Sequence, residues 1–71
     1  MEPLSDLEIA ILRVREAEQR VAEQRARVER MKAAGRSTEF SEDLLRNLTI
    51  SLDLMKRHLE LVTDPRNSRS G

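Results

Sequence analysis

The 71-residue chain has no cysteine, tryptophan or tyrosine, one phenylalanine, one histidine, two glycines and two prolines. Each shortage closes something off. Without cysteine there are no disulfides and no thiolate metal sites. A lone aromatic residue, Phe40, and so few turn-formers argue against a β fold. An excess of either charge is missing too. The 13 Lys and Arg balance 13 Asp and Glu, so no net field draws the chain to nucleic acid or to an anionic membrane. No uninterrupted apolar run approaches the ~20 residues of a membrane span. The opening Met1-Glu2-Pro3-Leu4 is acidic and lacks the core of a signal peptide, so a cytoplasmic protein is expected. A domain below roughly 70–80 residues has a thin core and leans on disulfides, metal or oligomerisation. Here oligomerisation is the route left open.

What is abundant is Glu, Arg, Ala, Leu and Gln, a helical or coiled-coil composition. Ser5-Asp6-Leu7-Glu8 fits a capping box, and Leu4 and Ile9 stand where a hydrophobic staple would close. The pattern predicts a first helix over about 6–34, ended by Gly35, a residue suited to the left-handed C′ position. A second helix is predicted over about 38–62. Thr38 is the preferred cap because Glu39, Glu42 and Asp43 then fall near the positive end of the helix dipole. With Ser41 as cap instead, Phe40 and Leu45 would form a staple. Thr63-Asp64-Pro65 reads as a stop, and residues 63–71 as a disordered tail.

The connection Gly35-Arg36-Ser37 is short enough to force an antiparallel hairpin. Leu45, Leu48, Leu52, Met55, Leu59 and Val62 recur at steps of three and four, a heptad seam. On the first helix the matching line is Leu7, Ile11, Val14, Val21, Val28 and Met31, with Ala10 and Ala17 alongside. One register sets Val28 opposite Leu45, Val21 opposite Leu52, Val14 opposite Leu59 and Ile11 opposite Val62. Between these, Arg25 or Gln24 faces Leu48, and Glu18 or Ala17 faces Met55. Glu16–Arg20, Glu23–Arg27, Glu42–Arg46 and Asp53–Arg57 are spaced as i,i+4 ion pairs, worth about 0.2–0.5 kcal/mol each.

The second helix carries more apolar surface than one partner can cover. Phe40, Ile50, Leu54 and Leu61 form a further line beside the seam, so apolar residues fill well over half of its circumference. The expected fold is therefore all-α: a coiled-coil-like two-helix hairpin that dimerises into a four-helix bundle. The expected self-association surface is Phe40, Leu48, Ile50, Leu54, Met55 and Leu61. Glu18, Gln24 and Arg25 interrupt the first-helix seam as a polar layer that either sets register or binds a ligand.

Other chemistry has less to stand on. A metal site needs several ligands, and His58 has no His or Cys companions. Arg57-His58-Leu59-Glu60-Leu61 lacks the surroundings of phosphotransfer histidines. The arginines of the first helix, from Arg13 to Arg36, are interleaved with Glu16, Glu18, Glu23 and Glu29, as on a solvated mixed-charge face. No serine stands at a suggestive spacing from His58, and no glycine-rich phosphate loop is present. The expectation is a non-enzyme without metal or cofactor.

The run from Glu18 to Arg25, followed by Gly35-Arg36-Ser37-Thr38 and Ser41-Glu42-Asp43-Leu44-Leu45, resembles a group of short helical-hairpin proteins of alphaproteobacteria with no established function. The resemblance spans most of residues 5–62 and implies a helical hairpin. It carries over no activity, ligand or functional residue. The function expected is a structural or protein-interaction module acting through self-association, with a helical protein as the other possible partner. The alternative is a small regulatory binding module, for nucleic acid through the first-helix arginines or for phosphotransfer through His58.

Overall fold

The computed structural model of the chain describes residues 3–63. It is a helical hairpin: α1 spans Asp6–Ala33 and α2 spans Glu39–Thr63, and the two pack against each other along their length. The described residues contain no strand.

Both expected capping devices form. The Ser5 hydroxyl accepts from the Glu8 backbone N–H at 3.1 Å, and the Ser5 backbone N–H donates to the Glu8 carboxylate at 3.1 Å. Two otherwise orphaned donors are thereby satisfied at the helix start. Leu4 and Ile9 remain exposed, so the staple contributes little burial. α1 closes on Gly35, which has a φ of 68°. The Arg36 N–H reaches the Met31 carbonyl at 2.9 Å and the Gly35 N–H reaches the Lys32 carbonyl at 3.0 Å. This is a Schellman motif, and it needs a residue without a Cβ penalty at the left-handed position. The helix ends one residue earlier than expected, with Ala34 as its cap.

α2 begins after Thr38, as preferred. The Thr38 carbonyl takes the Glu42 N–H at 2.7 Å, and its hydroxyl donates to the Glu42 carboxylate at 3.0 Å. The alternative cap, Ser41, lies inside the helix and is buried; Phe40 projects into solvent, so no staple with Leu45 forms. At the other end Thr63 belongs to the helix, its hydroxyl donating to the Leu59 carbonyl at 3.0 Å. The rest of the expected disordered tail lies outside the described residues.

The seam of α1 differs from the expected one. Its buried residues are Ala10, Val14, Val21, Gln24 and Val28, with Ala17 and Met31 half-buried, an unbroken alternation of four and three. Leu7 is exposed and Ile11 only half-buried. Val14, Val21 and Leu52 form the centre of the core, with Ala17, Leu45, Leu48 and Leu59 packed on it. That core is small. Its deepest apolar residue is Val28, 2% exposed, and its one buried leucine is Leu52.

The ion pairs also differ from those expected. Lys32–Glu42 at 3.5 Å and Lys56–Glu18 at 3.7 Å run between the helices, and Arg46–Asp43 at 3.6 Å lies within α2. Glu23 accepts from Gln19 at 3.1 Å. Glu42 turns across the seam to Lys32 rather than along α2 to Arg46, and Glu18, whose i+4 neighbour is Ala22, likewise pairs across it with Lys56. All three pairs are about half exposed or more, which limits each to about 0–1 kcal/mol.

Candidate functional site: the open side of α2

The hairpin uses one side of α2 and leaves the other bare. Ser41 and Leu52 are the buried residues of this helix. Phe40 is 83% exposed, Leu54 61%, Ile50 52% and Leu61 52%. Met55 is also exposed, whereas Leu48 is half-buried against the hairpin's own core. Five of the six residues expected at a self-association surface are thus available to solvent, and Leu48 is shared with the core. Leu44, 41% exposed, was not among the six. Its signal was its place four residues after Phe40 and four before Leu48, which continues both apolar lines toward the turn.

A shallow groove runs beside this surface, between the open ends of the two helices. Ala10 and Arg13 line it from α1, with Leu54, Met55 and His58 from α2. Toward the helix ends it continues past Ile9 and Val62. His58 is exposed at its edge. Nearer the turn, Arg20 and Arg27 flank Leu44 and Leu48. Arg13, Arg20 and Arg27 recur every seven residues, so they share one flank of α1, but Glu16 and Glu23 stand among them. That row is a mixed-charge border to an apolar strip rather than a positive track along a phosphate backbone.

The three polar residues expected as one layer are separated. Gln24 is buried, and its amide donates to the Ser41 carbonyl oxygen at 2.8 Å. Next to it the Ser41 hydroxyl donates to the Met31 sulfur at 3.1 Å. Glu18 is exposed and paired with Lys56, and Arg25 is exposed. The geometry brings Gln24 together with Ser41 and Met31, not with Glu18 or Arg25. Ser41 was legible only as a candidate cap; that it falls four residues before Leu45 on the same seam line was the overlooked signal.

The Ser5 backbone N–H, and after it the Ser5 hydroxyl, hold the exposed Glu8 carboxyl below its ordinary 4.5. This is an effect of capping. Among the described residues there is no cluster of three or more His, Cys, Asp or Glu side chains able to hold a metal ion. No described helix is long and apolar enough to cross a membrane. No family model matches the chain, and no curated protein or solved structure is significantly similar to it.

Proposed function

We propose that this protein is a cytoplasmic structural or protein-interaction module that works by self-association of helical hairpins, with no catalytic role and no cofactor. The observation that carries this reading is the open side of α2, where Phe40, Ile50, Leu54 and Leu61 remain exposed on a hairpin with a small core. Leaving one such side chain in water rather than burying it forgoes roughly 1.5–3 kcal/mol. A strip of four, continuous along one helix, is the kind of surface that monomeric proteins seldom keep. Two hairpins joined on these faces would make a four-helix bundle. The likeness to short alphaproteobacterial hairpin proteins belongs to the same proposal and adds an architecture, not an activity.

Nothing in the groove favours the regulatory alternatives over this reading. His58 shares its groove with Arg13, Leu54 and Met55, and with Asp6 toward the helix ends, but among the described residues it makes no hydrogen bond or ion pair with a carboxylate that would orient its ring for phosphotransfer. The arginines of α1 are matched by interleaved acids. The test is the solution mass by sedimentation equilibrium over a wide concentration range. A dimer or tetramer supports the proposal. A chain that stays monomeric throughout overturns it, and the open side of α2 would then belong to a different protein.

A further inference from the structure

The exposed side of α2 carries a second heptad line, distinct from the seam that binds α1. Phe40, Asn47, Leu54 and Leu61 recur every seven residues, with Leu44, Ser51 and His58 between them, so the steps alternate four and three over the whole helix. All seven are exposed in the hairpin. We infer that a second copy of this chain packs antiparallel along this line, about a two-fold axis passing beside Ile50 and Ser51. The inference rests on the self-association reading and adds the direction and register of the contact.

Symmetry of the line about its centre is the first ground. Antiparallel pairing about an axis between Ile50 and Ser51 brings Phe40 to the level of Leu61 and Asn47 to that of Leu54, sets Leu44 beside His58, and brings Ser51 next to its own counterpart. A small side chain thus falls at the axis, and the other two polar members, Asn47 and His58, each meet a leucine over which their stems can lie. Parallel pairing would instead stack Phe40 on Phe40 and His58 on His58.

The second ground is charge, and it is independent of the first. Along the outer flank of the line, Asp43, Ile50 and Arg57 also recur every seven residues. In an antiparallel pair each flank faces the same flank of the other copy. Reversal about Ile50 then carries Asp43 onto Arg57 twice over, with Ile50 against Ile50 between the two ion pairs. In a parallel pair this flank would face the opposite one, where Leu48 and Met55 stand and offer Asp43 and Arg57 no counter-charge. Arg57 has no ion-pair partner among the described residues, and the one partner of Asp43 is Arg46, with both side chains largely exposed. Both groups are open to a partner across the axis.

The third ground is shape. Phe40, the sole aromatic side chain, projects from the turn end of α2, and the groove beside His58 and Val62 lies at the other end. These two features are exchanged by the proposed axis. A knob on each copy therefore meets a hollow on the other, as an isologous contact requires.

Absence of cysteine makes the test direct. Ser51→Cys, Phe40→Cys and Leu61→Cys are each made singly, checked for unchanged helicity by circular dichroism, and oxidised alone and in mixtures. The inference expects Ser51→Cys to form a covalent dimer by itself, Phe40→Cys and Leu61→Cys to do so poorly alone, and the mixture of those two to cross-link. It also expects Asp43→Arg to weaken association roughly tenfold and the exchange of both charges, Asp43→Arg with Arg57→Asp, to restore it. A dimer in which Phe40→Cys cross-links with itself as readily as Ser51→Cys overturns the antiparallel register and leaves self-association standing. A chain that is monomeric at every concentration overturns both.

Discussion

Gln24 shows how much one side chain contributes to register. Its amide is the one polar group from α1 buried in the seam, and it reaches backbone on α2 rather than another side chain. Gln24→Ala removes the bond and leaves space near the turn, so a loss of about 1–2 kcal/mol is expected in thermal or urea unfolding. Gln24→Leu fills the layer with apolar atoms and is expected to be close to neutral, within about 1 kcal/mol, while weakening the preference for a single helix register. Ser5 and Glu8 act at the same scale. Because the folded carboxyl of Glu8 lies below its ordinary value, the contribution of the capping box is complete above that value and fades as pH falls through the lower, folded one. The expected result is fraying of the first turn of α1 in acid, seen in the backbone amides of Leu7 and Glu8 by NMR, with the rest of the helix unaffected. Ser5→Ala should abolish that pH dependence and lower helix stability by about 1 kcal/mol at neutral pH. The box could be foreseen because it is a short pattern with a local mechanism. The position of Gln24 could not, since Gln24 and Arg25 are both polar and only the packing distinguishes them.

At the scale of the element, the two helices were unequally legible. α2 is rich in leucine at a constant spacing, so its phase follows from sequence. α1 has alanine and glutamine on its buried face, and neither weighs much in an apolar pattern. Leu7 and Ile11 therefore drew the expected seam round by part of a turn, whereas Ala10, Ala17 and Gln24 in fact continue the line of Val14, Val21 and Val28. Small residues suit the close approach of two helices, and Ala10 and Ala17 both lie on the packed face. Gly35 invites a test of the turn between them. A Cβ built there meets nothing within 4 Å, so Gly35→Ala has no steric obstacle. The left-handed backbone is the whole cost, about 1–2 kcal/mol. A drop in melting temperature with unchanged helix content would show that the Schellman turn closes the hairpin without dictating its helices. Leu52 and Leu54 make a sharper comparison across α2. Leu52→Ala opens the core and should cost about 2–5 kcal/mol under any conditions. Leu54→Ala should cost almost nothing in dilute protein, where the hairpin is alone, and progressively more as concentration rises, if the far side of the helix is covered by association.

The whole molecule poses a problem of surface. Two helices can bury one face each, and a hairpin whose core consists of valines, an alanine and one leucine gains little from doing so. The composition could have placed charge on the remaining side of α2, as it does along the flank of α1, but it places Phe40, Leu44, Ile50, Leu54 and Leu61 there instead. This excess of apolar surface was readable from the sequence because it needs only the helical period. Leu54→Glu tests what the surface is for. A glutamate at this position meets solvent in the isolated hairpin, so helicity at low concentration should survive. In an assembly it would bury a charge in place of a leucine, and each of the two copies forgoes the roughly 1.5–3 kcal/mol of the side chain it replaces. A shift of the dimer dissociation constant by about two to four decades follows, from about 1.4 kcal/mol per decade. Salt separates this from electrostatic association: a contact held by apolar burial keeps its strength as ionic strength rises, while one held by the arginines of α1 weakens steeply. Sedimentation of the unsubstituted chain and of Leu54→Glu at low and high salt therefore yields four masses. The expected pattern is an assembly at both salt concentrations for the first and a helical monomer at both for the second. An assembly that survives Leu54→Glu but dissolves in salt would move the interface from α2 to the charged flank of α1.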